Sequence, residues 1–267
     1  MKPAVESNTA LHFWWHAARW PLALALAATS ILATTNVDIA IANALFFDAV
    51  RQRWLGGDSW WANEFMHSGG GWLVRSIIAA IAVAWIATFI SERMRHWRRP
   101  FAYFLLSTLS TIAIIGFLKH VTNVDCPWDL TIFAGRFPYV HLFADRPDAL
   151  RTAHCFPAAH AGSAYALMAV YFAALELDQR WARAGLAMAV ALGLVFGIAQ
   201  QSRGAHFVSH DLYSATIAWC VSLTLYCAAF RCRLWGAASE SLRSMRRCSA
   251  RLSPPNQVTP PVPCASE

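Results

Sequence analysis

Six long windows without a single Asp, Glu, Lys or Arg constrain this chain most: residues 20–37, 76–91, 100–118, 152–175, 184–202 and 212–230. Five have 18 residues or more. The sixth has 16 and extends back through Trp72, Leu73 and Val74 if Arg75 sits at an interface. A bilayer core of about 30 Å needs roughly 20 apolar residues as helix. Helices buried in a large soluble bundle would show polar faces at a 3.6-residue period instead. Composition points the same way. The chain is 57% hydrophobic and 14% charged, against about 45–50% apolar and about 25% charged in a typical soluble domain. The same numbers exclude a disordered main body. We therefore expect an all-α polytopic membrane protein, a six-transmembrane-helix bundle. The first apolar run continues without an obvious cleavage site into Asn36 and Asp38, so it reads as a retained span.

Lys and Arg placement sets the expected orientation. Six spans put both termini on one side, which collects 14 of the 22 basic residues, among them Arg93, Arg95, Arg98, Arg99 and the tail from Arg231 to Arg251. That side is expected to be cytoplasmic, in a bacterial inner membrane. The net charge of +7 is split into juxtamembrane patches that suit anionic headgroups, not a nucleic acid. Three regions follow: an interfacial N-terminal segment (1–19), a six-span membrane domain (20–230) and a basic, then Pro-rich tail (231–267) expected to be disordered. Outer loops are expected at about 38–71, 119–156 and 203–210. The first ends in Gly69-Gly70-Gly71, and its Trp54, Trp60 and Trp61 suggest headgroup level. Cys126 and Cys155 share the longest outer loop, where an oxidising compartment permits a disulfide. Cys232, Cys248 and Cys264 are expected inside and reduced, and Cys220 and Cys227 within a span.

Ionisable groups near a bundle interior usually serve function. Three such clusters fall at one membrane face. The first runs from Lys119 to Asp125-Cys126-Pro127-Trp128. The second is Cys155-Phe-Pro157-Ala-Ala-His160. The third is Gln200-Gln-Ser-Arg203-Gly-Ala-His206-Phe-Val-Ser-His210-Asp211. Their convergence on the outer, periplasmic face points to a single active site.

In order and spacing these clusters resemble the type 2 phosphatidic-acid phosphatase superfamily of membrane phosphatases, over residues of about 72 to 230. The family's first motif is Lys, six residues, Arg-Pro; here Lys119 is followed by six residues and Cys126-Pro127. Its second, Pro-Ser-Gly-His, stands as Pro157-Ala158-Ala159-His160. Its third is Ser-Arg, five residues, His, three residues, Asp. Gly204-Ala205-His206-Phe207 is similar to the surroundings of the family nucleophile, while Gln200 occupies the Arg position and His210 the Asp position.

The resemblance implies phosphate ester cleavage through a phosphohistidine, without metal or other cofactor. That chemistry needs cations on the non-bridging oxygens, a nucleophile and an acid for the leaving group. By position, His206 is the expected nucleophile, His160 the acid and Lys119 a phosphate-binding charge. Arg203 is the remaining phosphate fork, with Gln200 beside it at the substrate. His210 or Asp211 is expected to hold the imidazole tautomer, and Asp211 could instead bind backbone at the start of span six. Asp125 and Asp129 read as loop organisers. The expected substrate is a phosphorylated membrane lipid, a monophosphate or a diphosphate. Alternatives are a lipid phosphotransferase of the same superfamily and a non-catalytic relative that binds phosphate lipids. His206 and His210, four apart, could also bind zinc with Asp211 or His160. A transporter is disfavoured because no inverted repeat and no paired broken helices occur. Oligomeric state and the particular lipid stay open.

Overall fold

The computed structural model describes residues 4–141, 144–147, 149–175 and 177–231. The expected tail from residue 232 on, with Cys232, Cys248 and Cys264, lies outside the described residues. The chain is almost wholly helical, as the apolar windows require. Helices α1 (Ala4–Thr34) and α2 (Val37–Leu45) come first, followed by a two-residue hairpin, β1 (Phe47–Asp48) on β2 (Arg53–Trp54). A π-helical segment, Trp61–Gly69, then leads into α3 (Gly70–Ile90). Next come α4 (Arg98–Val121), α5 (Ala159–Tyr165), α6 (Ala169–Leu175), α7 (Gln179–Ser202) and α8 (Val208–Tyr226).

Among the described residues four helical stretches are long and apolar enough to cross a membrane: Trp61–Ile90, Glu92–Val121, Gln179–Ser202 and Val208–Arg231. A fifth is added if Leu11–Leu32 and Val37–Leu45, bent by 83°, count as one span. The segment expected as the fourth of six spans is the shorter apolar helix Ala159–Leu175. Its charge-free window opens at residue 152, but the chain is not helical before Ala159. Pro157 disfavours helical backbone at Phe156. Helix therefore begins only beyond it. At 1.5 Å per residue the remainder reaches about 25 Å, short of the hydrocarbon thickness.

Two other expectations changed. The Gly69-Gly70-Gly71 run does not end the outer segment, because helix passes straight through it. A Cβ on Gly70 would stand 2.5 Å from the Phe196 ring, so glycine here allows the start of α3 to lie close against α7. The N-terminal boundary at residue 19 falls inside α1. That helix packs on α8, where the Trp219 indole donates to the Ala17 carbonyl at 3.1 Å and Trp14 to the Thr224 hydroxyl at 3.2 Å.

The core between helices is built from small and aromatic residues: Ala158, Ala161, Ala164, Phe172, Phe196 and Tyr226 are all buried. Hydroxyls link helices that a hydrophobic force alone would not hold together in lipid. Ser107 bonds Ser222 at 3.0 Å, and the Tyr103 hydroxyl donates to the Ser222 carbonyl at 2.8 Å. A second cluster, Ala42, Phe47, Leu130, Phe133 and Phe207, caps one end of the bundle. Trp54, expected at the headgroups, packs instead on Phe133 at 4.8 Å between rings and on Phe47 at 5.3 Å.

Candidate active site

All three sequence clusters meet at that capped end. The loop after α4 and the segment before α5 are joined by a Cys126–Cys155 disulfide, which ties the first cluster to the second. Arg146 forms an ion pair with the buried Asp125, its Nη2 donating to Oδ1 at 3.0 Å and also to the Arg151 carbonyl at 3.0 Å. Arg151 pairs with Asp129 at 2.8 Å. Both aspartates thus organise the loop. The third cluster is a tight turn between α7 and α8. Gly204 adopts φ +75°, a conformation that favours glycine, and lies against the Trp54 ring. Its carbonyl accepts from the Trp128 N–H at 2.9 Å, locking the turn to the first cluster.

Between these segments opens a cavity of about 650 Å³. Lys119, His160, Gln200, Arg203 and His206, all expected from sequence, line it. His67 and Arg75, which the motifs do not contain, line it as well. Among the described residues no Asp or Glu does so, and neither Lys119, Arg75 nor Arg203 has a carboxylate partner. Three cations thus face one pocket with no anion to neutralise them, which suits a phosphate group. They also answer the two motif departures. Cys126 and Gln200 stand at arginine positions, and Arg203 and Arg75 supply guanidinium groups from other places.

Gln200 arranges two of its neighbours. Its Oε1 accepts from Arg203 Nη1 at 2.9 Å and its Nε2 lies 3.2 Å from His67 Nδ1. An amide nitrogen can only donate, so His67 accepts at Nδ1 and carries its proton on Nε2. Arg203 thereby has its fork held beside the pocket although its position in the chain is shifted from the motif. His160 is hydrogen-bonded between helices: its Nε2 donates to the Met66 carbonyl at 3.0 Å and its ring stacks on Phe196 at 4.5 Å. Nδ1 is left for other work. His67 lies ring to ring at 4.8 Å from His160.

His206 is buried, and its Nδ1 lies 3.2 Å from Nδ1 of His210. One of the two rings donates and the other accepts. Burial holds His206 well below the ordinary histidine range, and the neighbouring His210 and Lys119 add to this. A neutral imidazole with one nitrogen engaged offers the other as nucleophile. His210 does not line the cavity; it stands behind His206.

Asp211 is not brought to this pair. Its Oδ2 accepts from Gln201 Nε2 at 2.5 Å, and Oδ1 is buried without a hydrogen-bond partner among the described residues. Nor does Asp211 cap α8. That role falls to Asp38 of α2, whose Oδ1 accepts from the Ser209 N–H at 3.1 Å. Among the described residues no group of three or more His, Cys, Asp or Glu is placed to hold a metal ion, so the zinc alternative finds no ligand set there.

His67 and Arg75 escaped the motif reading because they belong to the π-helical segment and α3, ahead of the motif clusters. The available signal was only that His67 falls in the expected outer loop 38–71, with no motif spacing to single it out.

The family model of the PAP2 superfamily matches residues 100–234 of the chain. No curated protein and no solved structure matches it.

Proposed function

The chain belongs to the PAP2 superfamily, and from that premise we propose that it removes phosphate from a phosphorylated membrane lipid by way of a phosphohistidine on His206. The observation that carries this reading is the cation-lined, carboxylate-free cavity with His206 in its wall and His210 at its back. The phosphate sits among Lys119, Arg203 and Arg75, which offset the charge that develops on the transferring group. His206 Nδ1–H donates to His210 Nδ1, so the Nε2 lone pair attacks phosphorus. Phosphorus bonds to Nε2 as its bond to the leaving oxygen breaks. The bound phosphate stabilises a proton on His160 Nδ1 while its Nε2–H stays on Met66, and His160 gives that Nδ1 proton to the leaving oxygen. The now neutral His160 takes a proton from water, which attacks phosphorus and releases inorganic phosphate. No step needs a metal.

Apolar helices surround the cavity, and its wall includes Val74, Ile78 and Ile112. A headgroup can therefore reach it sideways while the hydrocarbon chain stays in lipid. We place this face outside the cytoplasm, because Arg93, Arg95, Arg98 and Arg99 crowd the other end of α3 and α4.

Phosphate release from a panel of lipid mono- and diphosphates in detergent, with EDTA present, tests the proposal. Release should survive EDTA and vanish in His206→Ala, and the wild type should trap an acid-labile phosphoryl group that His206→Ala lacks. Release that needs a divalent metal, or persists in His206→Ala, would overturn it.

A further inference from the structure

Behind His210, on the side away from the substrate cavity, lies a small cavity of about 30 Å³. A single water needs at least about 10–15 Å³ of such space and two to four polar partners. The wall includes Asp38, Asp125, Tyr139, Ser209, His210 and Tyr213. Asp125 is already committed to Arg146. Asp38 is buried, at 6% exposure, and the hydrogen bond from the Ser209 N–H uses only part of its capacity. A carboxylate offers about four acceptor sites. The Tyr213 hydroxyl is buried and has no hydrogen-bond partner among the described residues, a costly state for a phenol. His210, with Nδ1 turned to His206, has a second nitrogen whose protonation state decides whether Nδ1 donates or accepts.

We propose that Asp38 is the distal carboxylate of the nucleophile's relay, joined to His210 by a water held in this cavity and shared with the Tyr213 hydroxyl. His210 Nε2–H donates to the water, and the water donates to Asp38. His210 Nδ1 is then the lone-pair side that accepts from His206 Nδ1–H. The arrangement rests on the reading of His206 as nucleophile. It accounts for His210 standing where the third motif has Asp. An imidazole and a water extend the reach, and the carboxylate comes from α2, outside the matched residues 100–234. Asp38 acts through His210 and does not touch substrate, so it is a positioning residue. Its negative charge favours the cationic relay that forms as His206 is phosphorylated.

Asp38→Asn separates this role from helix capping, because Asn is as good an N-cap as Asp but carries no charge. We expect kcat to fall by about tenfold or more, the order of effect known for the outer hydrogen-bond partners of metal-ligating histidines. KM should stay within twofold and the thermal midpoint should not move. Histidine 15N NMR of wild-type protein should show His210 as the Nε2–H tautomer, and Asp38→Asn should mix the two tautomers. Unchanged kcat with an unchanged His210 tautomer would overturn the relay. If Asp38→Asn does not fold, Tyr213→Phe decides: a several-fold loss of kcat at constant KM supports the bridging water, and wild-type kcat overturns it. A wild type that forms no phosphohistidine would defeat the reading of His206, while the NMR tautomer of His210 would still decide the relay.

Discussion

At the scale of residues, the proposed site keeps its guanidinium groups at Arg203 and Arg75 while Cys126 and Gln200 stand at the motif's arginine positions. Gln200 cannot bind phosphate as the motif's arginine would, yet it holds both Arg203 and His67. Gln200→Ala should therefore behave like a partial loss of Arg203. We expect affinity for inorganic phosphate or vanadate, read as product inhibition, to drop by about fivefold to tenfold, the value of one ordinary hydrogen bond. Unchanged inhibition would mean that Arg203 holds its place alone. Arg203→Lys should not restore function, since an ammonium cannot present two parallel donors. The depressed proton affinity of His206 has a pH consequence. The unfolded chain binds a proton near the ordinary histidine value of about 6.5, which the folded chain refuses. Stability should thus be flat above about pH 7 and fall as pH drops below about 6.5. Thermal midpoints in detergent between pH 8 and 5 check this, with a shallower fall expected for His206→Gln. This burial was not visible in the sequence. The histidine's place in a Gly-Ala-His-Phe string was.

At the scale of elements, the π-helical segment and the first residue of α3 approach α7 closely, which brings His67 and the Phe196 ring to His160. Ala at position 70 would improve helix propensity by about 1 kcal/mol. The same methyl would meet the Phe196 ring, and overpacking costs about 1–3 kcal/mol. Phe196 also supports His160 by stacking. Gly70→Ala should therefore lower both the thermal midpoint and kcat, whereas Gly116→Ala, with nothing within 4 Å of the new methyl, should do neither. A second device is the Cys126–Cys155 disulfide, which spans 29 residues. Closing a loop of that order contributes about 2–4 kcal/mol. Reduction, or the paired Cys126→Ser and Cys155→Ser variant, should lower the thermal midpoint and the activity together, because the bridge flanks the cavity. Loss of stability with full activity would separate the loop from the site. Charge-free windows located most of these helices well. They misjudged the segment before Ala159, because apolar composition cannot distinguish a span from an apolar stretch that Pro157 keeps out of helix.

At the scale of the whole molecule, the arginine cluster Arg93, Arg95, Arg98 and Arg99 and the site lie at opposite ends of α3 and α4. A membrane-impermeant thiol reagent applied to intact cells should label a cysteine placed at Arg136, in the loop beside the site. It should spare one placed at Arg95. The reverse pattern would turn the protein over and put the chemistry in the cytoplasm. The sequence by itself determined that this chain is helical and apolar enough for a membrane, and that Lys119, His160, Arg203 and His206 belong to one chemical set. The first follows from composition and patterning and the second from motifs that resemble the superfamily's, and both survive without coordinates. Only the tertiary structure decided the partners. It set His210 against His206, turned Asp211 away to Gln201, and brought Asp38 from 171 residues earlier to the start of α8. It also completed the pocket with His67 and Arg75. Each of these depends on helix rotation and on contacts between distant segments, and a one-dimensional pattern carries neither.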